Sequence, residues 1–494
     1  MLRATIALDR GATVAQTDDR LFSSFLEHLG RAIYTGIFEP DHPVADKRGF
    51  RRDVLELVRD LGVSHVRYPG GNFLSGYDWW DGVGPRDQRP TRLDLAWHSL
   101  EPNLFGWGEF ADWSKAAGTQ IMGAVNLGTG TPMEAGHLLE YTNRPADTLW
   151  ADRRVAHGHP EPWDVRLWCL GNEMDGEWQI GHLEARAYGL KAREAAKIMR
   201  QVDPSIELVA CGSATVLQPT FPAWDRVVLE ETFDQVDYLS LHRYYENEGN
   251  DLDFLASFVD MGDFIHTIGG TVDHVRAVKR SRKQIYLSFD EWNVWYQAHQ
   301  EPHPWEQAPR LLEDRYSLLD ALVFAGLGMT LVNHADRVKI ACLAQLVNVI
   351  APILTEPGGG VLKQTIYYPF QLLSRYGRGT VLRPSVQVEQ VETRYGEAPL
   401  VHTSVVADAA GEVVTVFLLS IADQPVVAEV DLRGFGARRL VSHTCLEGPD
   451  LGAVNTFAVP DAVVPREVAC PPEVGVSHQV ELGPRSFHVL RFGL

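Results

Sequence analysis

The sequence predicts an α/β protein, a (β/α)8 TIM barrel with a C-terminal all-β sandwich, and three observations predict it. From about residue 20 to 380, short apolar runs alternate with amphipathic helical segments, and several of the runs (VRLWCL, IYLSF) are unbroken, as in strands covered on both faces. After Gly379 the helical periodicity stops, and short strands follow one another between turn signals. No GxGxxG turn follows an early strand, which favours a closed barrel over a doubly wound sheet.

Taken in order, the elements support this. The amino-terminal alternation around Thr5–Leu8 precedes the barrel and is expected to pair into the sandwich. Barrel strands are expected at Leu21–Leu26, Ser64–Tyr68, Gln120–Asn126, Arg166–Gly171, Glu207–Cys211, Tyr238–His242, Gln284–Phe289 and Val338–Leu343. Between them, Phe50–Leu61 places Val54, Leu57, Val58 and Leu61 on one helical face, and Leu183–Val202 is a helix stopped by Asp203-Pro204. The segments VVADAAGEVVTVFLLSIA, PVVAEVDLRGF and SFHVLRFGL supply the sandwich. The expected division is a catalytic barrel at 18–380 and a sandwich made of 1–17 plus 381–494.

Composition narrows the partners. Lys plus Arg number 45 against 65 Asp plus Glu, a formal charge of −20, which disfavours nucleic acid, anionic membranes and acidic polysaccharides. A neutral ligand fits better. The amino terminus lacks the charged start and apolar run of a secretory signal, and no apolar stretch is long enough to span a bilayer. Five scattered cysteines (Cys169, Cys211, Cys342, Cys445 and Cys470) with no CxxC pair read as reduced thiols of a cytoplasmic protein. No HExxH or EF-hand pattern is present, and Gly70-Gly71 lacks the Lys-Ser/Thr of a nucleotide site, so neither metal nor cofactor is expected.

In a barrel, the residues where apolar strands stop face one mouth. Those residues here are Glu27-His28 after the first strand, Arg67 to Asn72 after the second and Asn172-Glu173 after the fourth. His242 to Tyr244 end the sixth, Asp290-Glu291 the seventh, and Gln345 follows the eighth. A lone carboxylate there would mean little. Two glutamates flanked by Asn172, Arg67, His242 and Tyr244 need a reason, because burying such groups is costly. Acetal cleavage supplies one: a proton donor for the leaving oxygen and a carboxylate for the oxocarbenium-like carbon. Asn172 is placed to hold a sugar 2-hydroxyl, and Arg67 and Tyr244 to keep Glu291 ionised, with Glu173 protonated beside it. His28 reads as a core histidine, the cluster Trp79, Trp80, Trp97 and Trp107 as packing with sugar contact at Trp97 alone. Asp175 and Asp290 are expected to point away. These residues leave open another retaining barrel enzyme, such as a β-xylosidase or endoglucanase, or a carbohydrate-binding protein on a retired enzyme fold.

The stretches FLEHLGRAIYTGIFEP (25–40), VRYPGGNF (66–73), LGNEMDG (170–176), LHRYY (241–245), FDEWNVWY (289–296) and YYPFQLLSRYGRG (367–379) resemble family 51 of the glycoside hydrolases, the intracellular α-L-arabinofuranosidases. LGNE alone marks the wider clan; EHLGRAIY and DEWNVWY narrow it. The resemblance implies exo-cleavage of terminal non-reducing α-L-arabinofuranosyl groups from arabinan, arabinoxylan or arabino-oligosaccharides. Configuration is retained through a covalent intermediate, and no metal takes part. It implies Glu173 as acid/base and Glu291 as nucleophile, with Glu27, Asn72, Asn172, Tyr244 and Gln345 binding the furanose. Arg67, His242 and Tyr244 would support the nucleophile. It also implies a homo-oligomer, a hexamer. The loop Arg86–Leu104, with Trp97, and the segment His299–Gln307 are where leaving-group preference would be set.

Overall fold

The protein is seen in a computed structural model that describes residues 2–296 and 305–493. Eight parallel strands close into a barrel in chain order: Ser23–Phe25, His65–Tyr68, Gln120–Val125, Leu167–Leu170, Glu207–Ala210, Tyr238–Tyr245, Tyr286–Val294 and Val338–Leu343. The eighth strand pairs with the first through Cys342 opposite Ser23, which leaves the barrel without an edge.

The expected strands are all present, with informative differences at their ends. The first is shorter, because Asp19–Phe22 forms a 3-10 turn in which the Asp18 carboxylate accepts the Arg20 N–H. The sixth and seventh run on to Tyr245 and Val294, past the end of their apolar runs. Their polar residues stay in the ladder because side chains across the mouth satisfy them. The helix Arg52–Leu61 buries Val54, Leu55, Val58 and Leu61 and stops at Gly62, whose φ of 79° is the left-handed turn glycine takes at little cost.

Among the described residues, the all-β part is built on two larger sheets, with a separate two-stranded ribbon of Gln390–Thr393 and Gly396–Pro399. Leu2–Ala7 lies inside the first, parallel to Val426–Asp431 and antiparallel to Ser385–Gln387. The second runs Thr13–Gln16, Thr380–Leu382, Val401–Ala407, Val414–Ser420, Ser486–Gly493, Arg438–Leu446 and Arg466–Glu467. The helix Leu318–Asn333 joins barrel and sandwich. It is apolar nearly all round because both sides are covered: Trp292 and Phe324 pack on the barrel side, while Asn333 and Thr330 bond Thr403 and His402 of the sandwich. Among the described residues, no helix is long and apolar enough to cross a membrane.

Candidate active site

The carboxyl ends of the strands bring the sequence-singled residues together. Glu291 lies directly opposite His242 in the ladder between the seventh and sixth strands. Two donors hold it: Arg67 Nη1 at 2.8 Å on one oxygen and the Tyr244 hydroxyl at 2.8 Å on the other. Arg67 also donates to Asn172 Oδ1 at 2.5 Å, and the Asn172 amide reaches Asn72 Oδ1 at 3.2 Å. Strands two, four, six and seven are thereby tied across the mouth.

Glu173 sits in the turn after strand four with a φ of 42°, a left-handed conformation that a non-glycine residue holds at a cost. Its carboxylate accepts from the Trp178 indole N–H at 2.6 Å and contacts His242 Nδ1 at 2.9 Å. One oxygen each of Glu173 and Glu291 and a ring nitrogen of His242 lie within 4.8 Å of one another. Such a trio could hold a cation, but a charged Arg67 already occupies that role at Glu291, and the protonated His242 ring has no free lone pair to give.

Asp290 corrects the sequence reading. It does not point away. Ser240 and His242 on strand six face Ser288 and Glu291 on strand seven, so strand seven carries one extra residue, a bulge. The bulge turns both Asp290 and Glu291 towards the barrel interior. Asp290, fully buried, bonds His242 Nε2 at 3.1 Å and the Ser240 hydroxyl, and lies 3.8 Å from Arg67. Asp175 does turn aside, accepting the Ala214 N–H at 2.9 Å, and burial lifts its carboxyl to about 7.

Three carboxylates (Glu173, Asp290 and Glu291) thus surround two cations. Burial alone would lower His242, but the charges of Glu291, Asp290 and Glu173 raise it well above its ordinary value, so it is an imidazolium. Asp290 is held below the usual carboxylate range: burial opposes ionisation, and Arg67, His242 and Ser240 overcome it. Burial raises Glu291, the charges of His242 and Arg67 oppose that, and Glu173 adds to it. With two cations for three carboxyl groups, one additional proton balances the cluster.

Glu27 and Gln345 form the other wall. Glu27 accepts from the Phe73 N–H at 2.8 Å and the Trp97 indole at 2.9 Å, and Gln345 both donates to its carboxylate and accepts its N–H, each at 3.1 Å. His28 bridges Glu101 and the Tyr68 hydroxyl, each at 2.8 Å, inside an aromatic cluster away from the carboxylate pair. Trp178, 53% exposed, was not singled out in the sequence; its place five residues after Glu173 in the same loop was the available signal. Of the segment 299–307, residues 299–304 lie outside the described residues. A cavity of about 750 Å³ opens at the opposite end of the barrel, where His65, Gln120, Leu167 and Glu207 begin their strands, and no residue of this site lines it.

A closed parallel barrel with two glutamates converging from strands four and seven defines a glycoside hydrolase. Comparison with known proteins gives the family. Residues 57–260 match the family described as the alpha-L-arabinofuranosidase 1 domain, and residues 290–486 the alpha-L-arabinofuranosidase C-terminal domain. An intracellular exo-alpha-(1->5)-L-arabinofuranosidase from Streptomyces lividans is 53% identical over 95% of this chain and 72% of that protein. One from Bacillus subtilis is 48% identical over 92% of each. A family 51 α-L-arabinofuranosidase structure from Bifidobacterium longum superposes with a TM-score of 0.95 at 42% identity, covering 100% of both chains. The chain belongs to the family 51 α-L-arabinofuranosidases.

Proposed function

We propose that the protein is an exo-acting, retaining α-L-arabinofuranosidase in which Glu291 is the nucleophile and Glu173 the acid/base. The observation that carries this reading is the carboxylate pair, in which one oxygen of Glu173 lies within 4.8 Å of one oxygen of Glu291. Retention goes with a separation of about 5–5.5 Å, whereas inversion needs about 6.5–9.5 Å to admit a water. Arg67 and Tyr244 aim Glu291 at an anomeric carbon. Glu173, which among the described residues has no arginine partner and meets only His242 and the Trp178 indole, is the acid candidate. In the first step the Glu291 oxygen bonds the anomeric carbon while the glycosidic C–O bond breaks and the Glu173 proton passes to the leaving oxygen. In the second, Glu173 takes a proton from water, which attacks the same carbon and releases Glu291. In this reading Asn172 binds the 2-hydroxyl, Glu27, Asn72 and Gln345 bind the remaining hydroxyls, and Tyr244 and Trp97 add further contacts to the sugar.

Terminal arabinofuranosyl groups of arabinan, arabinoxylan and arabino-oligosaccharides are the proposed substrates, supported by the names of the relatives and by a chain charge of −20 that suits a neutral glycan. An intracellular, cytoplasmic location rests on the same names. A hexamer is the proposed assembly, measurable by light scattering on the eluting protein.

The mechanism is tested with two variants. Glu291→Gly abolishes turnover, and azide restores it as the inverted glycosyl azide. Glu173→Ala loses at least about 10²-fold on an alkyl or sugar leaving group but far less on an activated aryl one, which departs without a proton. Equal losses on both leaving groups remove Glu173 as the acid.

A further inference from the structure

The sandwich holds a second cluster of metal-binding side chains, formed by strand pairing. Cys445, at the end of Arg438–Leu446, lies directly opposite His488 on Ser486–Gly493. Glu447 follows immediately after that strand ends at Leu446. The Cys445 sulfur, a Glu447 oxygen and a His488 nitrogen all lie within 4.8 Å of one another. A tetrahedral zinc shell brings such atoms to about 3.5 Å, so small side-chain rotations close it.

The surroundings suit a cation. His488 Nδ1 is 2.9 Å from His443 Nε2, and its Nε2 is 2.9 Å from the Ser486 hydroxyl. A metal-bound histidine commonly donates its second N–H to an acceptor that fixes its tautomer, and His443 stands where that acceptor is needed. Glu447 rests against Gly483, where a Cβ would come within 2.3 Å of its oxygen. A cavity of about 700 Å³, lined by Glu447, Arg466 and Gly483 among others, opens the site to solvent.

The Arg466 guanidinium pairs with Glu447 and reaches the Cys445 thiol, yet its side chain is 63% exposed. An exposed ion pair of this kind is worth little, so Arg466 can swing away at small cost. It occupies the place a metal ion would take.

We propose that Cys445, Glu447 and His488 form a binding site for a borderline-soft divalent cation of the Zn2+ type, with the fourth position open to the cavity. Binding through His488 Nε2 releases the thiol proton to solvent, displaces Arg466 and the Ser486 hydroxyl, and pins the two strands together. The site lies in the sandwich and takes no part in glycoside cleavage.

Titration of the full-length, chelator-treated protein with Co2+ tests this. The expected result is a thiolate-to-cobalt charge-transfer band in the near ultraviolet that saturates once per chain. The carboxylate–histidine trio at the barrel mouth contains no sulfur and cannot produce it. Cys445→Ser removes the band and Glu447→Gln weakens binding by about tenfold or more. Arg466→Ala, which removes the competing cation, tightens binding; this exposed position keeps the test open if Cys445→Ser does not fold. No band in the wild type at millimolar Co2+, a band that survives in a folded Cys445→Ser protein, or weaker binding in Arg466→Ala would overturn the proposal.

Discussion

Glu27 is a carboxyl group that the barrel has stripped of water. Burial lifts it to about 8, the N–H groups of Phe73 and Trp97 pull it down, and Glu291 and Asp94 push it back up. The Gly70-Gly71 pair has a steric reason: a Cβ at either position would come within 2.8 Å of the Glu27 side chain. The raised value makes folding pH-dependent. Between the ordinary 4.5 and about 8, the folded state holds a proton on Glu27 that the unfolded chain has released. The stability this confers is complete below about pH 4.5 and is lost as pH rises through about 8, at up to roughly 1.4 kcal/mol per unit. Replacing Glu27 with Gln removes that slope. Denaturant titrations between pH 5 and 8 are therefore expected to show the wild type losing stability relative to Glu27→Gln, and parallel profiles would refute the assignment.

At the scale of elements, strand register decides both packing and chemistry. Gly123 on the third strand pairs with Trp168 on the fourth, and a Cβ at Gly123 would lie 2.5 Å from the indole ring. Trp168 is fully buried and edged by Trp107 at 5.5 Å, so the ring cannot step aside. Gly123→Ala is expected to cost about 1–3 kcal/mol, read as a lowered thermal midpoint. An unchanged midpoint would mean that the strands slide to make room. The bulge in Tyr286–Val294 works through register too: one extra residue gives the seventh strand two consecutive inward carboxylates, the nucleophile candidate and the group that anchors Arg67 and His242 beneath it.

For the molecule as a whole, barrel and sandwich share structure. Leu2–Ala7 is an internal strand of the sandwich with Ala4 and Ile6 fully buried, although the barrel follows it in the chain. The helix Leu318–Asn333 depends on the sandwich to cover its outer side, where Leu419 packs against Gly326. Removing residues 1–8 is expected to unravel the first sheet, expose that helix and sharply lower the yield of soluble protein. The intact chain is expected to unfold in one calorimetric transition; two separated transitions would show that the interface contributes little.

The barrel, the sandwich and most of the mouth residues were legible in the sequence, because hydrophobic period is local and strand-end residues of a barrel face one side whatever the loops do. Arg67, Glu173, His242 and Glu291 meet for that reason. Tertiary structure alone decided the direction of Asp290, since one residue of bulge reverses the alternation. It also decided that Trp178 returns to Glu173, that Glu27 is dry enough to keep a proton, and that Cys445 faces His488. Each of these depends on register or burial set by segments far apart in the chain, and no local pattern encodes how distant strands align.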